Sequence, residues 1–581
     1  MAAEVANKTS RSETETEIAP EQDGTAFTEA ELINAERNPN KVVTTRPSSL
    51  GYSSIVLIIV NRMIGTGIFK TPTTLAHGTH SIGYILLFWA AGAIVAICGT
   101  LVFAEYGLTV PRLEIENDNK QSVPRNGGEK NYLEYLIKSP KRLATCLYGI
   151  PFIVLGTAAG NALVCAECLL RATGHEPSEG AIRGLAIGLA STACLVHAGW
   201  RTGGVYLFNA FGTIKVGMMV AMFSLGVAYA AGTLGGSNEI ASENLSIHNS
   251  MDKPLGSAFG YAEAFLAVLF AFGGFNQATY VLGEIDHPRR KLKPTTVLTV
   301  LGVSILYILV NLAYMMVVPA NDQFEPGSDT VAATFFLRIF GRNAGKVQNS
   351  FMAFSSFGNV LVQTFTASRV KQELAKEGIL PFTKFLATNR SLTPRFLSRT
   401  SKSTETSDAT PVGALMLHWT FTLLLILATI PGNTGESYRI FTNLYAFVVD
   451  ALFGFFIGLG MLVLRLKKTS HWSRKSASNK YTSFAAALIF TMANLFPLVA
   501  VWIKPSGTSG ITLPVSWWAT GTIGMGLLGF AVLYWVVLQY IVPKILGRDL
   551  EVEREFQFKK SHGYWVIWHE VTSVNWRTRS V

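Results

Sequence analysis

The chain has 581 residues, of which 49% are apolar and only 15% charged, against roughly 25% charged in soluble domains, so a water-soluble surface is excluded for most of it. Its 49 Lys and Arg against 38 Asp and Glu give a net charge of +11. The basic residues nevertheless lie in alternate loops rather than on one face, which excludes a nucleic-acid footprint and matches the positive-inside bias of a polytopic membrane protein.

Residues 1–48 contain no apolar core of signal-peptide length. Nine acids between Glu4 and Glu36 stand against Lys8 and Arg11 in residues 1–36, a composition that predicts a disordered, solvated tail over 1–48. Apolar windows of about 19 residues then predict twelve transmembrane helices. They lie near 52–76, 82–108, 143–170, 181–199, 204–232, 256–282, 294–318, 347–370, 411–430, 438–465, 482–503 and 513–543. The fold class is therefore an all-α polytopic membrane protein, with a transporter-sized domain over 49–543 and a second tail over 544–581. An even number of spans puts both tails on one side. Loops on that side hold 38 of the 49 Lys and Arg, the opposite loops about 8, and Arg62, Lys70 and Lys215 fall within spans. Both termini are expected to be cytoplasmic.

The loops hold further pieces. Residues 129–138 and 369–386 read as amphipathic segments at the cytoplasmic face, and 330–341 as one at the outer face. Asn244-Leu245-Ser246 has the form of a glycan acceptor in an outer loop. All five cysteines fall in apolar segments, and Cys165-x-x-Cys168 lacks the βαβ setting of a redox site. The ten histidines form no H-E-x-x-H pair, and the one H-x-x-H spacing, His77 to His80, closes an apolar span with no acid beside it, so neither a metal nor another cofactor, nor an enzyme, is expected.

The first span contains Met63-Ile64-Gly65-Thr66-Gly67-Ile68-Phe69, and the sixth contains Phe270-Ala271-Phe272-Gly273-Gly274-Phe275-Asn276. About 11 residues precede Gly65 and about 16 precede Gly273, which is roughly half or a little more of the bilayer core at 1.5 Å per residue. Glycine costs about 1 kcal/mol relative to alanine in a helix interior. Unwound backbone is tolerated at that depth only where it lines a polar cavity. Either pair alone reads equally as close packing through small residues, and a dinucleotide loop would need a third glycine and a strand before it. Two breaks, five spans apart, are the pattern of a 5+5 inverted-repeat transporter with helices 1 and 6 broken around one site.

These residues resemble the amino acid-polyamine-organocation transporters, in particular the L-type amino acid transporter branch. The resemblance extends through Phe103-Ala104-Glu105-Tyr106-Gly107, Gly127-Gly128 before Tyr132, Lys215, Glu284 to Pro288 and Glu377-Gly378-Ile379-Leu380-Pro381, over roughly residues 50–543. The segments starting at Asn276 (NQATYVLGEI) and Asn443 (NLYAFVVDALFGFFIGLG) are similar to the fungal high-affinity methionine permeases. The chain departs from the branch in a polar insertion between Pro111 and Gly127, in Phe275 where many animal members have Trp, and in lacking an outer-loop cysteine. A permease without an obligate heavy chain is therefore expected, in the plasma membrane, with the tails as the place for ubiquitin-dependent regulation.

An amino acid zwitterion needs donors for its carboxylate and acceptors for its ammonium. The free amides of Thr66, Gly67 and Ile68, at the start of the outer half-helix, suit the carboxylate. The carbonyls of Met63, Ile64, Phe270 and Ala271 suit the ammonium. Gly65 and Gly273 provide the unwinding, Phe270, Phe272 and Phe275 are expected to meet the substrate side chain, and Asn276 to bridge the broken helices. A thioether near an aromatic edge gains about 0.3–1.5 kcal/mol, which suits methionine without excluding leucine or phenylalanine. Lys215 lies about 11 residues into the fifth span, roughly 16 Å deep, too far from either end to snorkel. The resemblance places it where sodium-coupled relatives hold a cation between spans one and eight, and implies a lysine that takes and releases a proton. Glu105, Glu167 and Glu263 are read as structural acids. Asp450 is left open, as is whether Arg62 meets an acid or backbone carbonyls. The reading is a proton symporter importing L-methionine by alternating access, its partners being the amino acid, protons and the lipid bilayer. An uncoupled exchanger of large neutral amino acids and a non-transporting sensor are the alternatives.

Overall fold

The structure is a computed structural model that describes residues 27–47, 49–116, 119–174, 176–251, 258–325, 330–392, 408–504, 518–561 and 564–578. Helix α1 (Glu29–Arg37) starts from a capping box in which Thr28 and Glu31 satisfy each other's backbone, and strand β1 (Lys41–Thr45) follows. The first span is split into α2 (Tyr52–Met63) and α3 (Gly67–Thr79), bent by 42°. Helix α4 (Ile82–Thr109) is 28 residues long, about 42 Å at 1.5 Å per residue, enough to cross a core of about 30 Å. The polar insertion folds as a hairpin of β2 (Arg112–Glu116) and β3 (Asn119–Ser122).

A short helix α5 (Glu129–Leu136) leads into α6 (Leu143–Leu155) and α7 (Ala159–Ala172), then α8 (Glu179–Gly199) and α9 (Arg201–Ala230). The sixth span is α10 (Ala258–Phe272) and the single turn α11 (Gln277–Tyr280). It is followed by α12 (Pro288–Val317), α13 (Val331–Phe340), α14 (Ala344–Lys376), α15 (Val412–Ala428), α16 (Thr434–Tyr445), α17 (Phe453–Leu466), α18 (Lys480–Ala500) and α19 (Ala519–Val536). Among the described residues eight helices are long and apolar enough to cross a membrane, and the bent α2–α3 pair makes nine. The other three expected spans correspond to α10 and α15, which have 15 and 17 residues, and α14, whose last turns carry Arg369, Lys371, Glu373 and Lys376. The first residues of the spans expected at 256–282 and 513–543 lie outside the described residues.

The two broken spans lie side by side. A Cβ at Gly67 would fall 2.9 Å from the Cα of Ala271, and one at Gly78 would fall 2.4 Å from the carbonyl oxygen of Gly260. Thr71 donates to the Ala267 carbonyl at 3.3 Å. The register 67 to 271, 71 to 267 and 78 to 260 runs antiparallel, as inverted repeats require. Small residues at this seam let the two backbones approach closely. Behind it, Trp89, Phe272 and Tyr307 form an aromatic cluster, with Trp89 5.8 Å from Phe272 and 5.2 Å from Tyr307, and all three are buried.

The tails differ from the sequence reading. Residues 29–45 are ordered, while residues 1–26 lie outside the described residues. Strands β4 (Arg548–Ser561) and β5 (Tyr564–Thr578) form a long hairpin, and β1 joins it in the order β1-β5-β4, from Lys41 opposite Ser573 to Thr45 opposite His569. The two ends of the chain therefore share one face. The hairpin docks because Glu570 reaches back to the helices: its carboxylate takes Lys376 at 2.6 Å, and Arg125 and Arg554 at 3.1 Å each. Burial by itself would raise the Glu570 carboxyl, but the charges of Lys376 and Arg125 outweigh it and hold it below the usual carboxylate range.

Helix α5 packs into the fold, with Glu129 and Lys130 both buried. Two loop expectations are corrected. The piece expected at 369–386 is divided between the end of α14 and a separate turn, Thr383–Ala387. Asn244 is not presented for a glycan: its amide nitrogen is buried and donates to the carbonyls of Met315 and Val318 at 2.7 and 2.8 Å.

Candidate functional site

The break in the first span comprises Ile64, Gly65 and Thr66. No side chain caps the start of α3, so its first amides are left for another acceptor. A Cβ at position 65 would lie 2.3 Å from Asn359 Nδ2, so any larger residue there would displace the side chain that also bonds Lys215. In the sixth span Gly273 to Asn276 separate α10 from α11, with Gly274 at φ +113°, and a Cβ on Gly274 would collide with Arg62 Cγ at 2.4 Å.

A cavity of about 510 Å³ opens on the face away from the termini, between α3, α10, α16, α18 and α19, and is lined by Thr66, Gly67 and Phe270. Tyr438 of α16 also lines it, and its hydroxyl is bonded to Thr66 Oγ1. On the termini side a set of ion pairs and backbone bonds gathers around Glu284. Glu284, just after α11, accepts from Arg201 at 2.7 Å and from Arg369 at 3.0 Å. Leu50, just before α2, pairs with the same turn: its N–H donates to Glu284 and its carbonyl accepts from Asp286.

Of the expected site residues, Lys215 is the most fully partnered. It is buried, and its Nζ donates to the carbonyls of Asn61 and Ile64 at 2.8 Å each and to Asn359 Oδ1 at 3.3 Å. One ammonium thus joins α9, the frayed end of α2, and α14. Ser355 of α14 adds a bond to the Ile64 carbonyl at 3.1 Å. The Tyr307 hydroxyl lies 2.5 Å from the Met63 carbonyl and 3.0 Å from that of Ala271, its single proton serving one or shared between the two, and the Phe270 carbonyl accepts from Gly273 N at 3.0 Å. Each carbonyl has two lone pairs, so one acceptor position remains on these oxygens.

The aromatic expectation needs correction. Phe270 faces the cavity, but Phe272 stacks edge-on with Tyr307 at 5.2 Å, and Phe275 with Phe103 at 5.6 Å. Positions two apart on a helix point to opposite sides, so 270 and 272 cannot share a wall, and 275 lies beyond the break. Asn276 does not bridge to the first span. Its amide donates to Glu129 of α5 and lies 3.5 Å from the Tyr280 hydroxyl.

Arg62 and Asp450 both lie at the sixth-span break. The guanidinium of Arg62 lies 5.5 Å from the Tyr445 ring centroid, and Asp450 Oδ2 lies 3.5 Å from where a Cβ on Gly273 would be. Asp450 belongs to a turn, Ala446–Leu452, widened to the i→i+5 pattern, a feature common at functional sites. The three glutamates are each paired: Glu105 binds Arg465 and the Trp472 indole, Glu167 binds Arg171 at 3.1 Å, and Glu263, which also lines the cavity, binds Arg439 at 3.3 Å. Tyr307, Tyr438, Asn359, Ser355 and Glu129 were not singled out from sequence. Glu129 directly follows the Gly127-Gly128 pair, a signal that was available; the tyrosines sit in ordinary apolar periodicity and gave none.

A family model described as amino acid permease matches residues 50–528. The chain belongs to the amino acid permease family. The permease is 30% identical over 518 residues to the high-affinity methionine permease of Saccharomyces cerevisiae, covering 87% of this chain and 83% of that one. It is 26% identical to the b(0,+)-type amino acid transporter 1 of Mus musculus, over 73% of this chain and 77% of the other. It is 24% identical to the large neutral amino acids transporter small subunit 2 of the same organism, over 72% and 70%. It is thus a multi-pass membrane transporter of amino acids and not an enzyme.

Proposed function

We infer that this permease imports L-methionine across the plasma membrane by proton symport and alternating access, with both termini cytoplasmic. The observation that carries the reading is the Lys215 ammonium, which joins the end of α2 to α14 through two backbone carbonyls and Asn359. A lysine holding that junction can release it by giving up its proton, so the junction's stability becomes linked to proton position. The cavity leading to Thr66 and Gly67, together with the ion pairs at Glu284, fits an outward-facing state. In it the amides of Thr66, Gly67 and Ile68 receive the substrate carboxylate. The remaining lone pairs on Met63, Phe270 and Ala271 receive the ammonium, the Ile64 carbonyl being taken up by Lys215 and Ser355. Phe270 forms the wall against which a thioether packs. The similarity to a high-affinity methionine permease supports methionine.

Purified protein in liposomes, given an inward proton gradient and labelled methionine, tests the reading. Accumulation above the external concentration that collapses with an uncoupler is expected. Equilibration alone would make the protein a facilitator, and accumulation of other amino acids but not methionine would overturn the substrate.

A further inference from the structure

The cavity wall carries a cation that the transport scheme leaves unused. Lys70 lies on α3, three residues beyond Gly67, and is exposed to the cavity. Its Nζ stands 4.4 Å from the centroid of the Tyr438 ring, whose hydroxyl is bonded to Thr66. Among the described residues no carboxylate lies within ion-pair distance of Lys70, whereas Arg439 on the same wall is held by Glu263 at 3.3 Å. Glu167, the acid whose charge reaches Lys70, is already held by Arg171 at 3.1 Å, and an ammonium without a direct acid partner at this depth is costly, a cost that a ring face offsets only in part.

The geometry points to Lys70 as an entry site for the carboxylate of an incoming α-amino acid, one helical turn from the central site along the same cavity wall. The inference rests on the reading that the first amides of α3 take that carboxylate in the central site. Those amides lie about one helical turn below, roughly 5 Å along the axis, so handing the carboxylate down is a short step. Tyr438 touches both levels, its ring face at Lys70 and its hydroxyl at Thr66, so it forms the wall along which the carboxylate passes. Glu436 also lines the cavity and offers an acid to the substrate ammonium, so the wall suits a zwitterion rather than a simple anion.

The test is initial-rate uptake of labelled methionine by the full chain in liposomes at about 0.02 M and about 0.5 M salt. Lys70→Met is expected to raise the half-saturation concentration about fivefold at low salt, a size set by a partly solvated ion pair, with the maximal rate retained. Lys70→Arg is expected to restore it, and the difference to shrink below about twofold at high salt, since screening weakens the pair. Propionate, which offers a carboxylate alone, should compete with uptake by the unmodified protein and not by Lys70→Met. Half-saturation values within about twofold of each other at low salt, or equal inhibition by propionate, would overturn the entry site. If Lys70→Met does not reach the membrane, Lys70→Gln takes its place in the same assay. Uptake by Gly67→Val separates the two readings: normal uptake there removes the central site, whereas its loss beside an unaffected Lys70→Met removes only the entry site.

Discussion

At the scale of single residues, the glycines of the breaks are held by contacts rather than by flexibility alone. Gly67→Val places a side chain against the Ala271 backbone, 2.9 Å from its Cα at the first carbon, and backbone cannot step aside as a side-chain tip can. Uptake is expected to fall at least tenfold while surface labelling still finds the protein in the membrane; normal uptake with normal labelling would remove the broken-helix site. Phe270 is the one member of its aromatic trio on the cavity. Phe270→Ala should raise the half-saturation concentration for methionine about twofold to tenfold, the range corresponding to a sulfur-aromatic contact of about 0.3–1.5 kcal/mol. Phe272→Ala should instead act through stability, because that ring packs on Trp89 and Tyr307; substrate affinity measured on the folded fraction would be unchanged.

At the scale of elements, the two ends of the chain are held in place by a few buried charges. Glu570 on β5 meets Lys376 at the end of α14, and Arg125 beside α5. Removing one partner of such a set leaves the others buried and uncompensated, a cost of about 3–5 kcal/mol. Glu570→Ala is therefore expected to release the hairpin, read as faster proteolysis near Gly547. The pH dependence follows from the sign of the shift. The folded carboxyl sits below its ordinary value, so its stabilisation is complete above the unfolded value of about 4.3 and is lost only as pH falls through the folded one. The cleavage rate of the unmodified protein should be flat from about pH 5 to 8, and a rise within that window would assign the docking to other groups.

At the scale of the whole molecule, coupling should fail before binding does. Lys215→Met keeps the length of the side chain and removes the charge that joins α9, α2 and α14. Methionine binding is expected to survive while accumulation in response to a pH gradient is lost; if accumulation persists, Lys215 is a strut and Asp450 is the next group to test. The alternation of apolar and charged segments was enough to establish a polytopic helical protein with both ends on one face, because crossing a hydrocarbon core of fixed thickness leaves a signature in every span. The two glycine breaks and the buried lysine were legible for the same reason, since each is costly at that depth unless it serves a site. Other features were settled only by the fold. The hairpin that pairs residues 41–45 with 569–573, the aromatic rings that turn away from the cavity, and the tyrosines that bridge the half-helices all depend on partners hundreds of residues away. A local pattern records how a segment meets lipid or water, but not which distant side chain completes its hydrogen bonds, and that pairing is what the tertiary structure decided.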